Sequence, residues 1–153
     1  MSPTLTVPYT ELPVPPSEAF PNVQKRDYPV LPVALSYQGR ATAFTFFSVI
    51  DSGADNCIFP AIVGRSIGIP IEAGAKLLTT GVAGGGIAYF HQAQVFFTLD
   101  GQPYHFDCYA GFMPSLDQVG VGLLGRHGFF DLFEKVAFNN AARIVELTTR
   151  QAA

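Results

Sequence analysis

Residues 44–55, FTFFSVIDSGAD, carry the pattern that decides the fold, because an apolar run ends there in a carboxylate. Side chains along residues 41–50 are largely apolar on both faces, which predicts one continuous strand inside a sandwich or barrel. Asp51 ends this run, and a carboxylate there is costly to desolvate unless it is hydrogen-bonded or shares its charge. Gly53 permits a tight turn that brings backbone N–H groups towards Asp51, and Ser52 adds a short hydroxyl. Alone, this turn fits a plain strand end as well as a catalytic group.

The flanking sequence has the same strand-like character. Residues 33–50 predict a β-hairpin, and residues 87–112 predict a second one, each with a glycine in its turn. Helical patterns are confined to two short segments, residues 60–67 and 125–133. The prediction is an all-β domain with one or two short helices.

Proline marks the boundary of this domain. Eight of the twelve prolines lie in the first 32 residues. Each proline fixes φ and removes a backbone donor, so residues 1–29 are predicted to form an extended or irregular arm, followed by one domain over residues 30–150. The arm is either a flexible tail or a segment that wraps the domain or a partner subunit.

Composition excludes several classes of function. Charged residues make up only 14% of the chain, and the nine Lys and Arg are scattered, which excludes a nucleic-acid binder built on a basic face. No apolar run approaches the roughly 20 residues of a membrane span. The N-terminus lacks the features of a secretory signal, so we expect a cytoplasmic protein with no membrane partner.

Metal and cofactor sites are not predicted either. Two cysteines are too few for a disulfide scaffold or a four-cysteine zinc site. A metal site drawn from other residues matches no established spacing, so a half-buried sheet face is the better interpretation of His91, His105, Asp107 and Cys108. Cys57 is interpreted as a small core residue.

A second motif changes the interpretation of the Asp51 turn. Residues 119–126, VGVGLLGR, place two bulky aliphatic residues before Gly-Arg and a predicted short helix. Together with the Asp-Ser-Gly-Ala-Asp run of residues 51–55, this motif resembles the retropepsin family of aspartic proteases. The resemblance covers roughly residues 30–147. It implies a retropepsin-like acid protease barrel or sandwich.

The resemblance also implies the roles of individual residues. Asp51 would be the catalytic carboxylate, on a turn supported by Ser52 and Gly53. Ala54 and Asp55 would contact substrate. In the family, the arginine of the second motif pairs with the acid that follows the first, so Arg126 is expected to bond Asp55 within one subunit.

A glycine cluster lies between the two motifs, at residues 81–86, GVAGGG. In retropepsins a glycine-rich hairpin at this place closes over the substrate as a flap, which implies substrate contacts at Val82, Gly84 and Gly85. A phosphate-binding loop is disfavoured, because the spacing is not G-x-G-x-x-G and a strand follows instead of a helix. Apolar residues at Val82, Ile87 and Ile58 favour hydrophobic substrate side chains.

The proposed reaction needs two carboxylates that share one proton, but the chain has one Asp-Ser-Gly. A homodimer with Asp51 of each subunit beside a twofold axis would supply both, and its substrate would be an extended peptide or protein. Residues 143–149 have strand alternation and are expected to contribute to a sheet between subunits. Two alternatives stay open. One is a silent dimerisation or peptide-binding module, and the other is a protease that needs removal of its N-terminal arm.

Overall fold

A computed structural model describes residues 2–80 and 85–151 of the chain, and most of these residues lie in strands. One short α-helix, α1, covers Ala61–Ser66 in the described part. The strands in chain order are β1 (Thr4–Pro8), β2 (Thr10–Pro13), β3 (Lys25–Tyr28), β4 (Val30–Tyr37), β5 (Arg40–Ala41), β6 (Phe46–Ile50), β7 (Ile58–Pro60), β8 (Ala75–Thr79), β9 (Gly86–Leu99), β10 (Gln102–Met113), β11 (Gly122–Leu124), β12 (Phe133–Asn139) and β13 (Ile144–Thr149).

Six of these strands close into a barrel, in the order β4, β6, β11, β7, β10, β9 and back to β4. The closing contact pairs Ala34 of β4 with Phe96 of β9. β5 and β8 extend the sheet beyond the ring. Closure pairs the strand edges that an open sheet would leave free. The all-β prediction is therefore confirmed.

The barrel encloses an aromatic core. Phe129 is fully buried, and its ring is 5.3 Å from that of Phe133 and 5.9 Å from that of Phe97, centroid to centroid. Phe59 and Phe112 form a second fully buried pair, with centroids 6.0 Å apart. Burying a side chain of this size stabilises the fold by roughly 1.5–3 kcal/mol. Aromatic side chains therefore make up a large part of the buried core.

Both predicted hairpins are present. The first turns at Gln38 and Gly39, with φ of 48° and 80°, and the second at Asp100 and Gly101, with φ of 51° and 74°. Positive φ at both central residues matches the right-handed twist of the flanking strands, and glycine and Asp tolerate it. The glycine in each turn was therefore the local signal that predicted both hairpins.

The prediction of one continuous buried strand over residues 41–50 is wrong in its first half. Residues 42–45 lie outside any strand, and Phe44 is 84% exposed. Tyr37 pairs with Arg40 on one side of this segment and Val33 pairs with Phe46 on the other, so two extra residues have to loop out. Because the apolar character of the sequence is continuous here, it gave no sign of this interruption.

Of the two predicted helices, one is confirmed. Helix α1 begins after Pro60, as predicted for residues 60–67. The prediction of a helix over residues 125–133 is wrong, because that segment contains only a three-residue 3₁₀ turn at Phe130–Leu132. Gly128 has φ of 112°, which a right-handed helix cannot include.

Residues 1–29, assigned to the arm from their prolines, supply strands β1 to β3. β2 and β3 form a hairpin of their own, whereas β1 pairs with β13. The other edge of β13 pairs with β12, which completes a three-stranded sheet. Val7 of β1 is 2% exposed and packs in the main core. Among the described residues no helix is long and apolar enough to cross a bilayer.

Candidate functional site

Asp51 lies directly after β6, where the chain leaves the barrel. Its N–H donates to the carbonyl of Leu124 on β11, at 3.1 Å, since β6 and β11 run parallel and end together. The N–H of Gly53 donates to Oδ1 of Asp51 at 2.9 Å, and that of Ala54 donates to the Asp51 carbonyl at 3.2 Å. Asp51 is half-buried, and Ser52 and Gly53 are exposed. These contacts hold the carboxylate in a tight surface turn.

The chain that follows β11 crosses directly over this turn. The N–H of Arg126 donates to the carbonyl oxygen of Ala54 at 2.9 Å, and the N–H of His127 donates to the carbonyl oxygen of Asp55 at 2.8 Å. Gly125 sits so close to Asn56 that an added Cβ would overlap its backbone. Only glycine fits such an approach. The two sequence motifs are therefore joined by backbone hydrogen bonds and by direct packing.

Asp55 and Arg126 are also joined through their side chains, by an ion pair between Oδ1 and Nη2. The side chains are 70% and 54% exposed. An ion pair with this exposure contributes little to the stability of a single subunit, because water screens it. Its position on the surface beside the Asp51 turn makes it available to a second molecule.

A small apolar cluster lies beside the turn. Ile58, Ala88, Phe90 and Met113 are buried together, separate from the main core, and Leu123 packs against them. Ile58 pairs with Leu123, the neighbour of the residue that bonds Asp51. Ile58 is thus a buried part of this cluster.

The glycine cluster of residues 81–86 follows β8 in the sequence and ends at the first residue of β9. The last described pair is Thr79 with Gly86, and the Thr79 hydroxyl donates to the Gly86 carbonyl at 3.1 Å. A Cβ on Gly85 would lie 2.9 Å from the carbonyl oxygen of Thr79, so glycine is needed there. Val82 and Gly84 lie outside the described residues. Ile87, which pairs with Leu78 one step before the last described pair, is 42% exposed.

The other polar residues considered from the sequence are dispersed. His91 Nε2 is 2.9 Å from the Ile71 carbonyl, whereas His105 stacks on Phe96. Asp107 accepts from Gln94 Nε2 at 3.1 Å. These contacts fit a half-buried sheet face, which is how the sequence was interpreted.

The sequence did not predict that the two cysteines lie close together. Cys57 and Cys108 are both free and buried, and both border Gly128. The alternation of β10 was a usable signal, because Phe106, Cys108 and Ala110 share its inward face. Nothing in the sequence indicated that Cys57 would lie beside that face.

Comparison with known protein families and with curated proteins gave no match. The family resemblance therefore depends on the two motifs and on the contacts between them.

Proposed function

We propose that the protein is an aspartic endopeptidase that acts as a homodimer, with Asp51 of each subunit forming the catalytic pair. One observation carries this proposal. The chain after Leu124 crosses the Asp51 turn and is bound to it by backbone hydrogen bonds and by the close approach of Gly125. In the described residues, the Asp51 side chain accepts one hydrogen bond, from Gly53. A half-buried carboxylate oriented by backbone groups, with capacity for further bonds, suits a group that binds water and a partner acid.

The chemistry follows from two acids held close together. Two carboxyl groups about 3 Å apart cannot both ionise, so they hold one proton between them. The ionised member takes a proton from a water molecule, which attacks the scissile carbonyl carbon. The protonated member donates a hydrogen bond to the carbonyl oxygen as negative charge develops there. A proton then moves from the carboxyl pair to the leaving nitrogen as the C–N bond breaks.

A second copy of the chain supplies the second carboxylate in this proposal. Twofold symmetry is the commonest form of oligomer, and it brings identical turns together. The exposed Ser52, Gly53, Asp55 and Arg126 surround Asp51 and are available for such an interface. The reaction centre is incomplete in one subunit, so the proposal makes activity depend on protein concentration.

The sheet expected between subunits would have to form at other strands than the one that the sequence suggested. Residues 143–149 were expected to contribute to it, but both edges of β13 already pair with strands of the same chain. An added strand from a partner would have to join the outer edge of β1 or of β12. The dimer proposed here therefore relies on the Asp51 turns and on those outer edges.

The substrate is proposed to be an extended peptide between the Asp51 turn and the β8–β9 hairpin. Its backbone would add to strand edges there, as in other cases of β-augmentation. Ile87 is exposed on that hairpin, and Leu123, next to the residue that bonds Asp51, is partly buried. Hydrophobic side chains next to the scissile bond are the expected preference.

Substitution of Asp51 by Asn tests the proposal. The variant keeps the shape of the side chain but cannot exchange the proton, so we expect loss of cleavage in a peptide library with unchanged sedimentation as a dimer. Asp100→Asn is the matched control, since it makes the same change in a distant turn that tolerates Asn. Cleavage by Asp51→Asn at the wild-type rate would exclude the mechanism.

A linked dimer tests whether both carboxylates are needed. Two copies joined by a flexible linker, with Asn at position 51 of one copy, should lose activity, whereas the linked wild type should not. A wild-type protein that dimerises without cleaving any peptide would favour the silent binding module. Cleavage that appears only after loss of N-terminal residues, followed by mass spectrometry, would favour the protease that needs removal of its arm.

A further inference from the structure

Cys57 and Cys108 form a buried dithiol on the inner wall of the barrel. Cys57 immediately precedes β7, and its carbonyl accepts the N–H of Gly111 on β10 at 3.0 Å. Cys108 lies three residues earlier on β10, on the face that points into the core. The exposed fractions of the two residues are 0% and 2%. Cys57 thus lies just before the strand next to β10, and both side chains are in the main core.

The chain at Gly128 covers both sulfur atoms. A Cβ on Gly128 would lie 3.1 Å from Sγ of Cys57 and 3.2 Å from Sγ of Cys108, so both thiols border one point. The Cys57 thiol also lies 3.8 Å from the carbonyl oxygen of His127, to which it donates. This covering segment is continuous with Arg126, which crosses the Asp51 turn.

The two thiols differ in acidity. Interaction with the Cys108 side chain lowers the pKa of Cys57, although burial opposes this effect. The same interaction, together with burial, raises the pKa of Cys108. Since the thiolate is the nucleophile, the direction of these shifts favours Cys57 as the first member of the pair to react.

We propose that Cys57 and Cys108 are an oxidation site, at which a small peroxide converts the two thiols into a reversible disulfide within one chain. The Cys57 thiolate attacks a peroxide oxygen, the O–O bond breaks, and hydroxide leaves and takes up a proton, which produces a sulfenic acid and water. The Cys108 sulfur then attacks the Cys57 sulfur. The S–O bond breaks, and a second water leaves with the thiol proton. Overall, two thiols are oxidised and one hydrogen peroxide is reduced to two water molecules.

This site is distinct from the proposed catalytic turn and does not depend on peptidase activity. The crosslink would join β10 to the segment that follows the Asp51 turn, next to the chain that crosses that turn. Oxidation would therefore change the segments that pack against the Asp51 turn, while the Asp51 carboxylate stays unmodified.

The test treats the folded full-length protein with hydrogen peroxide and follows its thiols. We expect both free thiols to be lost together, a mass lower by two hydrogen atoms per chain, and a peptide that links the two cysteines and separates on reduction. Retained thiols, crosslinks between chains, or overoxidised cysteines without a linked peptide would overturn the proposal.

Single variants establish the order of reaction. In Cys108→Ser, a sulfenic-acid trap such as dimedone should label Cys57. In Cys57→Ser, the Cys108 thiol should stay unlabelled under the same treatment. Labelling of Cys108 with Cys57 left intact would contradict the assigned order. If either serine variant fails to fold, the wild-type peptide map decides the proposal alone.

Discussion

Gly125→Ala provides the sharpest test of how the two motifs are held together. An added Cβ at this position meets the backbone of Asn56, which cannot move aside as a side chain can. The chain after β11 must therefore shift away from the Asp51 turn. The shift stretches the two backbone hydrogen bonds that Arg126 and His127 donate across it.

The expected cost can be worked out from these contacts. Overpacking of this kind costs about 1–3 kcal/mol. Each hydrogen bond lost contributes about 1 kcal/mol more. The total is about 3–5 kcal/mol, out of the roughly 5–15 kcal/mol typical of a folded domain. For a chain of this length, that corresponds to a fall in melting temperature of roughly 6–20 °C.

Denaturant unfolding and thermal melts followed by circular dichroism would measure the loss. Gly120→Ala is the matched control, because Gly120 has φ of 71° and nothing lies within 4 Å of an added Cβ. It carries only the strain of a left-handed backbone, about 1–2 kcal/mol. If Gly125→Ala were no less stable than Gly120→Ala, the two motifs would not be packed as described.

Three further predictions concern other parts of the chain. Val7→Ala should destabilise the fold by about 2 kcal/mol, because β1 buries this side chain in the core; a change below the error of denaturant unfolding would mean that the arm is detached in solution. A double-mutant cycle on Arg126→Ala and Asp55→Ala should give a coupling below about 1 kcal/mol for unfolding of one subunit and a larger coupling for dimer dissociation; equal couplings would deny the pair a role in assembly. The hydrogen bond from Arg65 lowers the pKa of Glu72, so its contribution is present above the unfolded pKa and is lost as pH falls through the folded one. Glu72→Gln should therefore lower stability at neutral pH and not in strong acid, and a constant difference across an acid titration would contradict this.

Local sequence was sufficient where neighbouring residues decide the structure. The Asp100-Gly101 turn and helix α1 follow from the φ that those residues tolerate and from proline at a helix start. The interpretation of residues 125–133 as a helix failed because Gly128 has a φ that a helix excludes. The sequence shows a glycine but does not show its φ, or that the folded chain places it against two sulfur atoms.

For the candidate site as well, the sequence determined some features and the tertiary structure determined others. A carboxylate at the end of an apolar run, followed by Ser-Gly, was visible in the order of residues, since desolvation makes Asp51 unusual there. The contact between that turn and Gly125 joins segments about 70 residues apart, and barrel closure decides it. The same holds for Cys57 and Cys108. Alternation along a strand assigns each side chain to a face, but only the pairing of strands determines which faces meet.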